Sequence, residues 1–132
     1  MTKKTDKYQT PEWVKQMFPN YYDPCPIDWK EGDKDGLTTE WGSYTFVNPP
    51  YSQTEKWVTK GINEARAGKH VVMLLRMDTS TKWFRDLMEA GANFWISWDR
   101  LHFTDRAPFP SILVVLNSLS TTTTSVSEPR GI

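Results

Sequence analysis

Four consecutive residues, Asn48-Pro49-Pro50-Tyr51, bring together the groups needed to act on an amine conjugated to an aromatic ring. The nitrogen lone pair of such an amine, as at N6 of adenine, is delocalised into the ring, and the amine is a weak nucleophile. Accepting both amine hydrogens in a geometry that favours a tetrahedral nitrogen returns the lone pair to it. The Asn48 side-chain carbonyl can accept one hydrogen, and the Pro49 backbone carbonyl, held between two stiff residues, the other. The Tyr51 ring offers a face for stacking a base, worth about 1–3 kcal/mol in comparable contacts. No general base need be close when the methyl group comes from a sulfonium, because the departing thioether is neutral; positioning and electrostatics carry the chemistry. Asn and Pro are also ordinary turn formers, so the placement of the tetrapeptide decides how it is read.

That placement is favourable. Residues 44–47 read as a strand, and the two prolines end it. The tetrapeptide then falls at the carboxyl edge of an α/β sheet, where ligands bind in this architecture. Upstream, Thr10 reads as a helix N-cap with Pro11 at the first helical position, and Trp13, Val14, Met17 and Phe18 follow at helical spacing up to Pro19-Asn20. Tyr21-Tyr22-Asp23 reads as a short strand stopped by Pro24-Cys25-Pro26, and residues 27–42 as a polar loop. Downstream, Ser52-Gln53-Thr54-Glu55 has the form of a capping box, opening a helix that Gly68 closes. Residues 71–75 are continuously apolar, as in a strand buried on both faces. Thr79 or Ser80 should cap the next helix, which Gly91 ends. Residues 94–96, 101–103 and 112–116 complete the strands. Strand-helix-strand order in the middle implies right-handed parallel crossovers, and the last strands, with no helix between them, suggest an antiparallel edge.

A chain of 132 residues fits one domain and is too short for a separate recognition domain of normal size. Residues 1–8 are polar and read as a flexible N-terminus, 9–117 as the single domain, and the Ser/Thr-rich residues 118–132 as a disordered tail. Sixteen basic and sixteen acidic side chains cancel, so attraction to nucleic acid must rest on local patches. The charge is segregated: residues 54–88 carry seven Lys or Arg against four acids, and residues 28–40 five acids against two Lys. Lys56, Lys60, Lys82 and Arg85 lie in the helices, where solvated faces are the commoner outcome, especially for Lys60 and Lys69. Arg76, Arg100 and Arg106 lie in loops near the expected active edge and are the better phosphate candidates. Seven Trp are many for this length, enough for several to line a pocket for a flat ligand. Cys25 is the single cysteine, so no internal disulfide can form. No leader-like or membrane-length apolar run is present, which points to a soluble, cytoplasmic protein.

Together these segments resemble the phage-type DNA N6-adenine methyltransferases, a compact Dam-like family with gamma-type motif order, over roughly residues 8–117. Tyr8-Gln9-Thr10-Pro11-Glu12-Trp13-Val14 is similar to the family's Thr-Pro helix start. The resemblance implies that Gln9, Thr10 and Pro11 contact the methionine end of S-adenosylmethionine. Tyr22-Asp23-Pro24-Cys25 resembles its first cofactor motif, with Asp23 facing the cofactor's amino group. Asp35-Gly36-Leu37 resembles its acidic element, with Asp35 accepting from the cofactor's adenine amine. Arg100-Leu101-His102-Phe103 and Ala107-Pro108-Phe109-Pro110-Ser111 resemble the C-terminal signature, in which an aromatic, here Phe103, packs against the flipped target base.

The resemblance implies a reduced Rossmann-like methyltransferase fold, with a mostly parallel sheet and an antiparallel C-terminal edge. It implies catalysis by Asn48, Pro49, Pro50 and Tyr51, and cofactor binding by Gln9, Thr10, Pro11, Asp23, Pro24, Cys25, Asp35, Leu37 and Asn48. Substrate binding would fall to Tyr51, Arg76, Arg100, Phe103 and Arg106. S-adenosylmethionine, converted to S-adenosylhomocysteine, would be the cofactor, with no metal. DNA would be the partner, as a duplex with a flipped base or as a single strand, and a homodimer would suit so short a chain on a duplex. A viral protein would act in the host cytoplasm. There are departures. Pro26-Ile27-Asp28 stands where typical methyltransferases have a Gly-rich loop. The ribose-binding acid is Asp28, Glu31 or neither, and Arg76-Met77-Asp78 stands where many relatives have Pro. Two other readings remain open: a catalytically impaired nucleic-acid-binding module of the same fold, and a methyltransferase acting on RNA adenine or a protein glutamine amide.

Overall fold

In a computed structural model of the chain, residues 9–96 and 110–117 are described. The elements are α1 (Glu12–Met17), β1 (Tyr44–Val47), α2 (Thr54–Arg66), β2 (His70–Arg76), α3 (Lys82–Glu89), β3 (Asn93–Ile96) and β4 (Ser111–Leu116). The expected strand at 101–103, the N-terminal residues 1–8 and the tail 118–132 lie outside the described residues.

The four strands form one sheet in the order β1-β2-β4-β3. β1 and β2 pair in parallel across the α2 crossover, with Val47 opposite Met73. β4 runs antiparallel to both β2 and β3, so β1, β2 and β3 point the same way. The antiparallel strand is not the edge that the sequence suggested. β4 lies inside the sheet, and among the described strands the short β3 takes the edge with Trp95 54% exposed. The near-continuous apolar run of β4 explains the exchange, because both its faces are covered.

Side chains alternate along β2 and sort the core into two layers. Val71, Met73 and Leu75 join Val58, Ile62, Trp83 and Leu87 of α2 and α3 on one face. Val72 and Leu74 join Val14 of α1, Phe46 and Leu113 on the other, with Phe18, Tyr21 and Tyr51 packed against them. The sheet therefore has helices on both faces.

The helix ends mix agreement and correction. Gly68 (φ +104°) and Gly91 (φ +83°) end α2 and α3 as expected. In each, the following N–H reaches back to the third carbonyl from the end, Lys69 to Glu64 and Ala92 to Leu87, a closure that needs the left-handed backbone of glycine. The starts differ. Pro11 precedes α1, and no side chain caps it. Ser52, expected as the cap, is not the residue that precedes α2: a 3-10 turn at Tyr51–Gln53 runs into the helix, tightened by the Gln53 N–H to the Pro50 carbonyl. Thr81, not Thr79 or Ser80, caps α3 by accepting from the Phe84 N–H. Residues 79 and 80 are taken up by a turn in which Asp78 accepts from Ser80. The strand expected at 21–23 shrinks to a single parallel bridge, Tyr22 to Thr45. Pro24 has no N–H for a ladder, and Asp23 turns its carboxylate to the Cys25 N–H.

Residues 27–42 look polar in sequence but are fixed from beneath. Buried Glu64 of α2 accepts from the Trp41 backbone N–H at 3.0 Å and from Lys60 Nζ at 3.0 Å. The Trp41 indole donates to the Gly36 carbonyl at 2.7 Å and stacks on Trp57. Glu64→Ala leaves the Trp41 N–H unpaired and buried, with an expected loss of about 1–3 kcal/mol. Glu64→Gln keeps an acceptor and should lose less than half of that. Urea unfolding of both variants tests the order; equal losses would contradict it.

Candidate active site

Asn48 follows the last β1–β2 pair directly, at the carboxyl end of the parallel strands. It is buried, as are Pro49 and Pro50. Its Nδ2 donates to Thr10 Oγ1 at 3.1 Å. Thr10 was expected to cap α1; its hydroxyl instead tethers the segment before α1 to the loop after β1. With the amide nitrogen turned to Thr10, the carbonyl oxygen is the end of Asn48 that points away from it. Tyr51 begins the 3-10 turn, half-buried against the core layer that contains α1.

Two hollows border this loop, and they share Cys25 and Ile27. The larger, about 520 Å³, is walled by Pro24, Ile27, Trp29, Leu37, Pro50 and Trp57 among others, with Asp35 and Gln53 as polar members. The smaller, about 50 Å³, is lined by Gln9, Thr10, Lys15, Asp23 and Asn48 besides the shared pair. Of the residues that the sequence assigned to a cofactor, Pro24, Cys25, Asp35 and Leu37 line the first, and Gln9, Thr10, Asp23, Cys25 and Asn48 the second. Pro11 is buried and lines neither. Asp28 and Glu31, considered for a ribose-binding role, are exposed and line neither.

The two acids are held by local turns. Asp23 accepts from the Cys25 N–H and Asp35 from the Leu37 N–H, both at 2.9 Å. Asp23 is exposed. Trp29, Gln53 and Trp57 are walls that no cofactor motif marked. The abundance of Trp was the available signal, and it pointed to a pocket without saying which Trp. The Trp57 indole donates to Gln53 Oε1 at 3.4 Å, which joins the start of α2 to the pocket floor.

On the substrate side, Arg76 ends β2. Arg100, Phe103 and Arg106 lie outside the described residues. The helical bases make local ion pairs: Lys60 with Glu64, Lys82 with Asp86 and Arg85 with Glu89. Lys69, beyond the end of α2, pairs with Glu40.

Gly36 has no room for a methyl group. An added Cβ would stand 2.1 Å from the Pro24 carbonyl oxygen and 2.8 Å from the Trp57 ring. Gly36→Ala must therefore displace two pocket walls. It should weaken binding of S-adenosylhomocysteine by about tenfold or more, about 1.4 kcal/mol, in calorimetry. A folded variant with unchanged affinity would show that this hollow does not hold the ligand.

A family model described as DNA N-6-adenine-methyltransferase (Dam) matches residues 1–127. A DNA N-6-adenine-methyltransferase of Haemophilus phage HP1 (strain HP1c1) is 36% identical over 100 residues, covering 63% of this chain and 58% of that protein. Another of that name, from Escherichia phage T1, is 36% identical over 62 residues, covering 45% of this chain and 26% of that protein. The chain thus spans less than two thirds of the length of these relatives. No solved structure matches it significantly. The matched range includes both hollows, the Asn-Pro-Pro-Tyr loop and the whole described sheet, and the chain belongs to the DNA N-6-adenine-methyltransferase (Dam) family.

Proposed function

We propose that this chain uses S-adenosylmethionine to methylate N6 of adenine in DNA, and that Asn48-Pro49-Pro50-Tyr51 holds the target base. The observation that carries the reading is the position of the loop. Asn48 lines the smaller hollow and Pro50 the larger, so the tetrapeptide borders both parts of the candidate cofactor site.

The residues present fit that cofactor. A volume of about 520 Å³ lies within the usual range for small-molecule sites. Trp29, Trp57, Leu37 and Ile27 offer apolar surface to a purine, and the Asp35 carboxylate can accept from its amine. Gln9, Thr10 and Asp23 offer polar groups to an amino acid end. When bound, the cofactor supplies a methyl group on a cationic sulfur. The protein's part is positional. Asn48 Oδ1 and the Pro49 carbonyl accept the two amine hydrogens and draw the lone pair onto the nitrogen. Tyr51 holds the ring plane. The amine, once methylated, loses its extra proton to solvent.

On this reading residues 9–117 form one methyltransferase domain, of reduced Rossmann-like type, flanked by segments 1–8 and 118–132. The parallel β1–β2 crossover and the helices on both faces support it. The DNA is a duplex with a flipped adenine or a single strand, met in the host cytoplasm, and a second copy of the chain would widen the surface that meets it.

Incubation with cofactor labelled in the methyl group, in the presence of DNA, RNA and protein, followed by digestion, should place the label on N6-methyladenine from DNA. Label only in RNA or on a glutamine amide would overturn the DNA assignment. Binding of cofactor and DNA with no transfer would favour a catalytically impaired module. Tyr51→Ala should lower methylation about 5- to 150-fold, the equivalent of one base–aromatic stack, whereas Tyr51→Phe should stay near wild type. Equal activity of the two variants would remove Tyr51 from the site.

A further inference from the structure

Ser111 stands opposite Arg76 where β4 pairs with β2. Ser111 is 4% exposed, and its hydroxyl has no hydrogen-bond partner. Arg76 Nε is also buried without a partner. Facing residues of an antiparallel pair project from the same side of the sheet, with Cβ atoms about 5 Å apart. Two orphan polar groups thus belong to one cross-strand pair and lie on the same side of the sheet. Leaving a buried donor unpaired costs about 1–3 kcal/mol, so such a pair marks a place where an acceptor is to be supplied.

The local charges say what kind of acceptor. The ion-pair partner of Arg76 is Asp78, with Nη2 and Oδ2 3.8 Å apart, too far for a hydrogen bond. Asp78 is turned to Ser80, accepting from its N–H at 3.1 Å and its hydroxyl at 2.6 Å. Those bonds, more than the charge of Arg76, hold the Asp78 carboxyl below its usual range. Arg76 is therefore a cation in a loose ion pair, while Lys60, Lys69, Lys82 and Arg85 are engaged in closer ones.

The location connects this pair to the site. Alternation along β2 puts Arg76 on the side of Val72 and Leu74, the layer against which Tyr51 packs. The candidate cofactor hollow includes Cys25 and Trp57, which pack in the opposite layer. Strand spacing puts Arg76 one strand across from Asn48 and about 7 Å farther along.

We propose that Arg76 and Ser111 form a binding site for one phosphate of the DNA strand beside the target nucleotide, with Arg76 Nε and Ser111 Oγ donating to its oxygens. The proposal rests on the DNA-methylating function above. A small rotation about the Ser111 Cα–Cβ bond turns the hydroxyl toward an oxygen that Arg76 draws in from solvent. Phosphate fits better than a base edge, because both groups offer donors and one is a full charge.

Fluorescence anisotropy of the full chain on a labelled oligonucleotide, with S-adenosylhomocysteine present, tests this across a salt series. Arg76→Gln should weaken binding about tenfold and reduce the slope of log K against log salt by about one. Arg76→Lys should keep the slope and still bind more weakly. Ser111→Ala should weaken binding about three- to tenfold with the slope intact, as expected for loss of an uncharged donor. Calorimetry should find S-adenosylhomocysteine binding unchanged in all three. An unchanged slope in Arg76→Gln, or wild-type affinity in Ser111→Ala, overturns the proposal, as does a change in base preference in place of salt dependence. A wild-type chain that binds DNA but transfers no methyl defeats the proposed function and leaves the phosphate site to be judged on binding. One that binds no DNA defeats both.

Discussion

Two successive prolines end β1, and the site takes its form from that interruption. Neither residue has an N–H to give to β2, so the parallel ladder stops while the chain is still inside the protein. Pro49 and Pro50 stay buried, and the Pro50 carbonyl accepts from the Gln53 N–H. Asn48, one residue earlier, is buried and tied to Thr10 by a hydrogen bond. The tie joins the segment before α1 to the end of β1 and orients the amide. In the proposed function Asn48 works by position, which needs such rigidity more than an altered pKa.

The sheet also separates two surfaces. Below the loop, α2 and the 27–42 segment enclose the larger hollow, held by Glu64, Trp41 and Gly36 in series. On the other face lie Tyr51 and the side to which Arg76 and Ser111 project. In the proposed function the first surface takes the methyl donor and the second the nucleic acid, and the tetrapeptide is where they meet. A chain whose charges cancel can then hold DNA through a few local contacts.

The sequence was most legible where one physical signal dominated. Apolar runs marked β2 and β4, glycines marked the ends of α2 and α3, and the double proline marked the end of β1. It was less legible where competing partners decide the outcome. Thr10 and Ser52 have the right chemistry for helix caps, yet Thr10 bonds to a residue 38 positions away, and Ser52 sits within a 3-10 turn. Asp78 took residues 79 and 80 into its own turn and moved the cap to Thr81. β4 was read as antiparallel correctly but as an edge wrongly, because strand order depends on which faces are covered and not on order along the chain. In the site, residues assigned by motif, from Gln9 to Asn48, line the hollows, with Pro11 as the exception. Trp29, Gln53 and Trp57 were missed because a pocket wall assembled across a loop and a helix has no spacing of its own.

The most direct measurement is single-turnover methyl transfer by Asn48→Ala, with cofactor and DNA both saturating. If Asn48 acts by accepting an amine hydrogen in the transition state, the rate should fall on the order of 100-fold or more, comparable to removing one preorganised hydrogen-bond partner from an active site. Cofactor affinity and the unfolding transition should change far less. An Asn48→Ala chain that folds, binds both ligands and transfers methyl at the wild-type rate would contradict the assignment of this loop as the reactive centre.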